Sequence, residues 1–238
     1  MFPIKDDNPT EIKPLVTLSI IAICCFIFFY QFSISQIDNM ELILKYGMRP
    51  NNLFSSNGLA SIYAIFSSMF LHGGFLHLVG NMLFLWIYGN NIEDSMGHIK
   101  FLIFYVICGV SAALLQASIN PSSDIPMIGA SGAVSGVLSA YLLLFPKARV
   151  STLVFIFFFI TIIRIPAGLL IILWFASQVV NANITDPNSP GVAWFAHIGG
   201  FIMGALIIPF LKKEKFKFFS AGRNIKIKSS SIRIRFRK

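Results

Sequence analysis

Charged residues are scarce in this 238-residue chain. Only 12% of its residues are Asp, Glu, Lys or Arg and just ten are acidic, whereas 55% are hydrophobic. Soluble globular domains carry about twice that share of charge, so the composition is that of an integral membrane protein. The length allows one domain with several membrane spans.

Cysteine is also rare. The chain contains only Cys24, Cys25 and Cys108, and all of them lie within apolar runs. Cysteines at such positions argue against a disulfide framework, and their spacing is not that of a metal site. We therefore expect neither a metal ion nor a cofactor.

Acidic residues are almost absent from the C-terminal end. Eleven of the nineteen Lys and Arg residues lie between Lys212 and Lys238, with Glu214 as the only acid there. A basic tail could bind nucleic acid, but after a membrane helix it more often lies against anionic lipid at the inner face. We favour membrane lipid as the partner of residues 212–238, interpreted as a basic cytoplasmic tail, and we expect no nucleic acid.

Long apolar runs define the architecture. Residues 1–14 lack the features of a cleaved signal peptide, so we expect a cytoplasmic N-terminal segment followed by an uncleaved first helix. Six stretches in a domain of residues 15–211 are interpreted as membrane-spanning helices: 15–32, 74–89, 101–115, 131–145, 166–180 and 192–211. The predicted fold class is therefore an all-α membrane protein, a bundle of six helices with a long first extramembrane loop.

Two stretches lie outside these spans. Residues 33–71 combine helix breakers such as Pro50 with amphipathic patches, which favours a position in the membrane interface. Residues 150–163 are rich in β-branched and aromatic side chains but are short for a crossing, and they end just before Arg164 and Pro166. We predict an extended or interfacial connector there.

The distribution of basic residues sets the orientation. The loops 116–127 and 181–191 contain no Lys or Arg, whereas Lys147, Arg149, Arg164 and the tail lie on the side of the termini. The positive-inside rule then places both termini in the cytoplasm. We expect a multi-pass protein of the plasma membrane, with Lys45 and Arg49 as exceptions on the outer side.

The stretch 128–136 begins the fourth predicted span and places Ser131 in the first turn of the helix. The free N–H groups of a helix start can bind a developing negative charge, and a serine there could be a nucleophile. The alternative is simple helix packing, because Gly132 and Gly136 form a Gly-x-x-x-Gly pattern. The span has only about 15 residues, so Ser131 would lie below the outer surface, at the floor of a cavity open to the outside.

His197, in the sixth predicted span, is followed on the same helix face by Gly200 and Gly204. These glycines would let the sixth helix press against the Gly132 face of the fourth, which would bring His197 beside Ser131. His197 could then take the Ser131 proton as the serine attacks a carbonyl, and later protonate the leaving amine.

Polar side chains also occur in the second span. His77 and Asn81 are four residues apart and share one helix face, where they could donate to the oxyanion together with the Ser131 N–H. A structural hydrogen-bonded pair is the alternative. Glu93 and Asp94, just after this span, are expected to cap or brace helix ends.

Taken together, these residues resemble the rhomboid family of intramembrane serine proteases. The resemblance covers about residues 45–211 and rests on three motifs: Gly129-Ala130-Ser131-Gly132, His72-x4-His77-x3-Asn81, and Ala196-His197-x2-Gly200-x3-Gly204. It implies a six-helix rhomboid-like fold, cleavage of transmembrane-anchored protein substrates and a Ser131–His197 dyad. It also implies an oxyanion hole of His77, Asn81 and the backbone of Ala130 and Ser131, with structural roles near the site for His72, Gly129, Gly132, Gly200 and Gly204.

The chain departs from the family pattern at two places. Many members have Trp-Arg where this chain has Tyr63-Ala64, and some have an aromatic residue that stacks on the histidine where this chain has Ser135.

Two other functions are alternatives to proteolysis. One is a catalytically inactive rhomboid-like protein that binds membrane clients. The other is a small transporter with a histidine proton path. Because none of the ten acids lies in a predicted span, we expect a dyad without a carboxylate, with Ser135 as a possible neighbour of His197 and with Asp124 and Asp186 as the nearest acids.

Overall fold

The computed structural model describes residues 2–54, 58–156, 159–186 and 189–220. Four of its helices are long and apolar enough to cross a membrane, which makes the chain a multi-pass membrane protein. They are α1 (Leu15–Ser33), α7 (His98–Ile119), α9 (Ala167–Ile184) and α10 (Trp194–Leu211).

The other two predicted spans are helical but differ in kind. The second consists of α5 (Phe75–Phe84), a π-helical turn (Leu85–Gly89) and α6 (Asn90–Met96), which follow one another without a break. The fourth is α8 (Ser131–Leu144), an apolar helix of 14 residues. A count of six spans therefore stays a prediction.

Helix α8 lies at the centre of the molecule. Apart from Ser131, Leu142 and Leu143, all its residues are buried, and they form much of the hydrophobic core together with α7, α10 and the π-helical turn. A helix enclosed by protein is not required to match the thickness of the hydrocarbon, so 14 residues suffice.

The prediction of an all-α fold is wrong on one point. The structure contains an antiparallel sheet in the order β1-β2-β3, with β1 at Phe2–Asp6, β2 at Arg149–Ile156 and β3 at Phe159–Pro166. The expectation of an extended connector at 150–163 is confirmed, because β2 and β3 form a hairpin; residues 157 and 158 lie outside the described residues. The β-branched residues of this stretch favour strands, and the polar N-terminal segment supplies the third strand through pairs such as Pro3 with Thr152.

The predicted first loop is largely helical. It contains α2 (Gln36–Tyr46), α3 (Pro50–Phe54) and α4 (Gly58–Ser68), and Met48 forms a backbone bridge to Met127 beside the start of α8. Helix α2 buries none of its residues within the protein. Its position in the membrane interface stays a prediction.

Glu93 supports the start of α1, which has no side-chain cap of its own. Its buried carboxylate accepts hydrogen bonds from the N–H groups of Val16 (2.9 Å) and Thr17 (2.8 Å) and from the Thr17 hydroxyl (2.7 Å). Asp94 accepts from the N–H of Glu11 at 2.8 Å. The expectation that these acids brace helix ends is confirmed for Glu93, because unsatisfied N–H groups at a helix start require acceptors. Asp94 instead binds the segment that precedes α1.

Asp6 connects the sheet to α8. Its Oδ2 accepts hydrogen bonds from the Tyr141 hydroxyl at 2.7 Å and from the Asn91 amide at 2.8 Å. Burial raises the pKa of Asp6 to about 6, although the Tyr141 hydrogen bond acts in the opposite direction. The end of α8 remote from Ser131 is therefore held by Asp6 of β1, and Asn91 of α6 holds the Asp6 carboxylate in turn.

The first residues of the predicted tail pack against the bundle. The N–H groups of Phe219 and Ser220 donate to the carbonyls of Leu143 and Leu144, and the Phe216 ring contacts that of Phe145. The rest of the tail, 221–238, lies outside the described residues.

Candidate functional site

Glycine faces bring α8 and α10 into close contact. A Cβ at Gly200 would overlap the carbonyl oxygen of Gly132, and one at Gly204 would overlap the carbonyl oxygen of Gly136. Backbones this close are possible only without side chains between them. Ser131 is the first residue of α8 and His197 the fourth of α10, so the contact joins the two helix starts that carry these residues.

A cavity of about 1100 Å³ opens at these helix starts. Ser131, His197, His77 and Asn81 all line it, and most of its remaining wall is apolar. The structure therefore brings together side chains from α5, α8 and α10. The two that are farthest apart in the sequence, His77 and His197, are separated by 120 positions.

Ser131 is half-buried and His197 is buried. In the described part of the chain, the Ser131 hydroxyl and the His197 ring are not hydrogen-bonded to each other. Catalytic hydrogen bonds often tighten only when substrate binds, so this geometry is compatible with a serine nucleophile and a histidine base.

The surroundings of His197 differ from the prediction. Its Nδ1 lies 2.7 Å from Oε1 of Gln178 on α9, whereas the hydroxyl of Ser135 donates to the Ser131 carbonyl of its own helix. Trp174, also on α9, places its ring centroid 5.7 Å from that of the imidazole at a tilt of 37°. An aromatic residue of α9 thus contacts the His197 ring, whereas Ser135 has no aromatic ring with which to stack on it.

Sequence reasoning missed both α9 residues. A signal was present, because a glutamine within an apolar span is costly unless it finds a polar partner. Gln178 is only 4% exposed. The identity of that partner could not be derived from the sequence of α9.

Asn81 provides a donor beside Ser131. Its Nδ2 is buried and has no hydrogen-bond partner among the described residues. A buried N–H donor without an acceptor is rare and costly, which makes it a candidate to bind a negative charge. His77, half-buried in the same cavity, accepts a long hydrogen bond from the Gly73 N–H at 3.4 Å through Nδ1.

Gly129 makes room for this pair. Its φ of 121° lies in the region that favours glycine, and a Cβ there would come within 2.8 Å of the His77 ring. Its N–H donates to the Ser68 carbonyl at 2.8 Å, which anchors the loop before Ser131. Ala130 caps α8, and its carbonyl accepts from the Val134 N–H at 3.0 Å.

His72 lies outside the large cavity and is buried between α1 and α5. Its N–H donates to the side chain of Gln31, and its Nδ1 donates to the Phe70 carbonyl at 3.2 Å. Burial lowers the pKa of His72 to about 4, so the ring is neutral. Its ring contacts that of His77 edge-on, with centroids 5.2 Å apart, and can support the orientation of His77.

Asp124, one of the two acids expected nearest to His197, has a hydrogen-bond partner elsewhere. Asp124 also lines the cavity, but its Oδ1 accepts a hydrogen bond from Asn51 at 3.1 Å. The group on His197 Nδ1 is a neutral amide. Within the described residues, no three His, Cys, Asp or Glu side chains lie close enough to hold a metal ion.

The fold and the site together define a multi-pass helical membrane protein with a serine and a histidine at one cavity. Comparison with known proteins shows the family: the model of the rhomboid domain matches residues 59–214. The chain belongs to the rhomboid family.

Curated relatives come from plants, yeast and bacteria. The chain is 28% identical to RHOMBOID-like protein 1 of Arabidopsis thaliana over 68% of its own length and 38% of that protein. It is 30% identical to the mitochondrial Rhomboid protein 1 of Saccharomyces cerevisiae over 65% of its length and 43% of the relative. It is also 30% identical to the Rhomboid protease GluP of Bacillus subtilis, over 55% of its length and 24% of the relative. The matched regions thus span less than half of each of these relatives.

Proposed function

We propose that this rhomboid-family protein is an intramembrane serine endopeptidase that cleaves transmembrane-anchored proteins. The observation that carries the proposal is the cavity shared by Ser131, His197 and the Asn81 Nδ2, which has no hydrogen-bond partner among the described residues. A nucleophile, a base and an oxyanion donor are the parts that acyl transfer requires.

The chemistry follows from these positions. His197 Nε2 takes the proton of Ser131 as Oγ attacks the carbonyl carbon of the scissile peptide bond. The tetrahedral intermediate collapses, the C–N bond breaks, and His197 gives that proton to the leaving amine. Water, activated by the same imidazole, then hydrolyses the acyl-serine and restores both side chains.

The oxyanion is stabilised by Asn81, by His77 and by backbone N–H groups at Ala130 and Ser131. A helix start adds partial positive charge at this point. In an apolar cavity these donors act more strongly than in water, because the local dielectric constant is low.

Asn81→Ala is expected to lower kcat by about 10²-fold, since one donor among several is lost. The measurement is turnover of a membrane-anchored reporter in liposomes. Asn183→Ala, which removes an exposed asparagine of α9, serves as the control and should retain activity. Wild-type turnover in the Asn81 variant would mean that Asn81 is a packing residue and that other donors form the hole.

Location and orientation are part of the proposal. The positive-inside distribution supports cytoplasmic termini, a cavity open to the outside and a basic tail at the lipid of the inner leaflet. We propose the plasma membrane as the site of action, although the names of three relatives include the word mitochondrial. The partners are then transmembrane protein substrates and membrane lipid.

A serine-directed fluorophosphonate probe tests the proposal without a known substrate. We expect covalent labelling of the purified protein at Ser131, identified by peptide mass spectrometry, and loss of labelling in His197→Ala. The control is Ser139→Ala, which removes a buried serine of the same helix whose hydroxyl donates to the Gly136 carbonyl. A folded wild-type protein that neither labels nor cleaves would instead support the inactive, client-binding function.

A further inference from the structure

Gln178 is the polar residue among the buried side chains of α9. Its Oε1 lies 2.7 Å from Nδ1 of His197, with the Trp174 ring against the same imidazole. This contact is formed between two helices and is buried on both sides. An amide held this close to a ring nitrogen influences which nitrogen carries the proton.

The orientation of the amide is determined by its other contacts. Nε2 of Gln178 donates to the Trp174 carbonyl at 3.0 Å and to the Ser177 hydroxyl oxygen at 2.9 Å. A carbonyl oxygen can only accept, so the NH₂ group must face Trp174 and Oε1 must face His197. Oε1 is itself only an acceptor, and therefore Nδ1 of His197 carries the proton.

The proton on Nδ1 determines the state of the other ring nitrogen, Nε2. With the proton on Nδ1, a neutral imidazole presents an unprotonated Nε2, which is the form that can take a proton from Ser131. In Ser-His-Asp proteases a buried carboxylate has this function. Here a neutral amide is in the corresponding place, and it carries no charge that would have to be buried in the membrane.

We propose that Gln178 is a positioning residue that holds His197 in the reactive tautomer and fixes the plane of its ring. This inference rests on the proposed protease function, because the tautomer matters only if His197 is the base. The catalytic unit is then Ser131 and His197, with Gln178 as a neutral third member supplied by α9.

Replacing the amide by an apolar side chain removes the acceptor. We expect Gln178→Leu to lower kcat by about 10²-fold, less than the roughly 10⁴-fold loss when a triad carboxylate is neutralised, with KM changed by less than about 2-fold. Substrate binding does not depend on the tautomer, so the loss should fall on kcat.

Replacing the amide by a carboxylate makes a different prediction. Gln178→Glu keeps an acceptor at Nδ1 but adds a negative charge that favours the protonated imidazole. The acid limb of the pH profile of kcat/KM should therefore move to higher pH, by about 1 unit or more. A side chain at position 178 that does not contact the imidazole would not move this limb.

The experiment measures kcat, KM and the pH profile of the full chain in liposomes for wild type, Gln178→Leu, Gln178→Glu and the exposed control Asn183→Leu. Thermal unfolding in detergent reports whether each variant is folded. The expected result is a kcat loss for Gln178→Leu, an upward shift of the acid limb for Gln178→Glu, and no change for the control. Suppose that the wild type is active. A wild-type kcat in Gln178→Leu would then overturn this inference and leave the protease function standing. If the leucine variant does not fold, an unshifted acid limb in Gln178→Glu would overturn it in the same way. A wild type that neither cleaves nor labels at Ser131 would instead overturn the protease function.

Discussion

Ser131→Ala is expected to reduce peptide-bond cleavage by at least about 10⁴-fold, because Ser131 carries the only hydroxyl or thiol side chain among the described residues that line the cavity. His197→Ala should cause a loss of similar size. Residues that act as one unit give non-additive losses, so the double variant should be no slower than either single variant. The measurement is single-turnover cleavage of a membrane-anchored reporter by purified protein in liposomes.

The control for this loss is a serine of the same helix. Ser139→Ala removes a buried hydroxyl that bonds within α8, and it should keep near wild-type cleavage. Unchanged unfolding temperatures for all variants would show that the losses are chemical. Substantial cleavage by a pure Ser131→Ala protein would contradict the serine mechanism.

The second large effect is expected at the contact between α8 and α10. Gly200→Ala places a methyl group where the Gly132 carbonyl oxygen lies, and neither backbone can yield without separating the helices. We expect a loss of about 3 kcal/mol in the free energy of unfolding. Cleavage should fall by more than about 10²-fold, because a displacement of about 1 Å between reacting groups is enough for such a loss.

Gly74→Ala is the matched control, which distinguishes the effect of the helix contact at Gly200 from a general intolerance of alanine in place of glycine. At Gly74, no atom of the described residues outside its chain neighbours lies within 4 Å of the position of an added Cβ, and the backbone is extended. Gly74→Ala should therefore change the free energy of unfolding by less than about 0.5 kcal/mol. Both variants are compared by denaturant unfolding in mixed micelles and by turnover. If Gly200→Ala is as stable and as active as Gly74→Ala, the close contact of the two helices is not required.

The candidate site was visible in the sequence to the extent that each residue carries a local signal. Ser131 follows a glycine at the start of an apolar run, and His77, Asn81 and His197 are polar residues inside apolar runs. Such positions are unusual enough to suggest a function. The glycine spacing also predicted the face through which α10 meets α8, and this contact is present.

The fold was predictable where a single stretch of the chain carries a local signal. The prediction failed where an element depends on residues far away in the sequence. The ends of α1 and α10 lie within two residues of the predicted spans, since a hydrophobic run long enough to cross a membrane has few alternatives. Strand β1 was not predicted, because Phe2–Asp6 pairs with residues near 152, far away in the chain. The five residues of β1 do not by themselves specify the pairing that makes this segment a strand.

The sequence by itself determined the class of protein, the apolar helices and the residues at the helix starts, because hydropathy and helix capping depend on residues a few positions apart. Only the tertiary structure decided which groups meet. It placed Gln178 and Trp174 against His197, Glu93 at the start of α1, and Asp6 on Tyr141. Each of these contacts joins separate elements, and a hydrogen bond or ring contact forms only when the packing of whole helices brings its partners within a few ångströms. No local pattern in the chain encodes that distance.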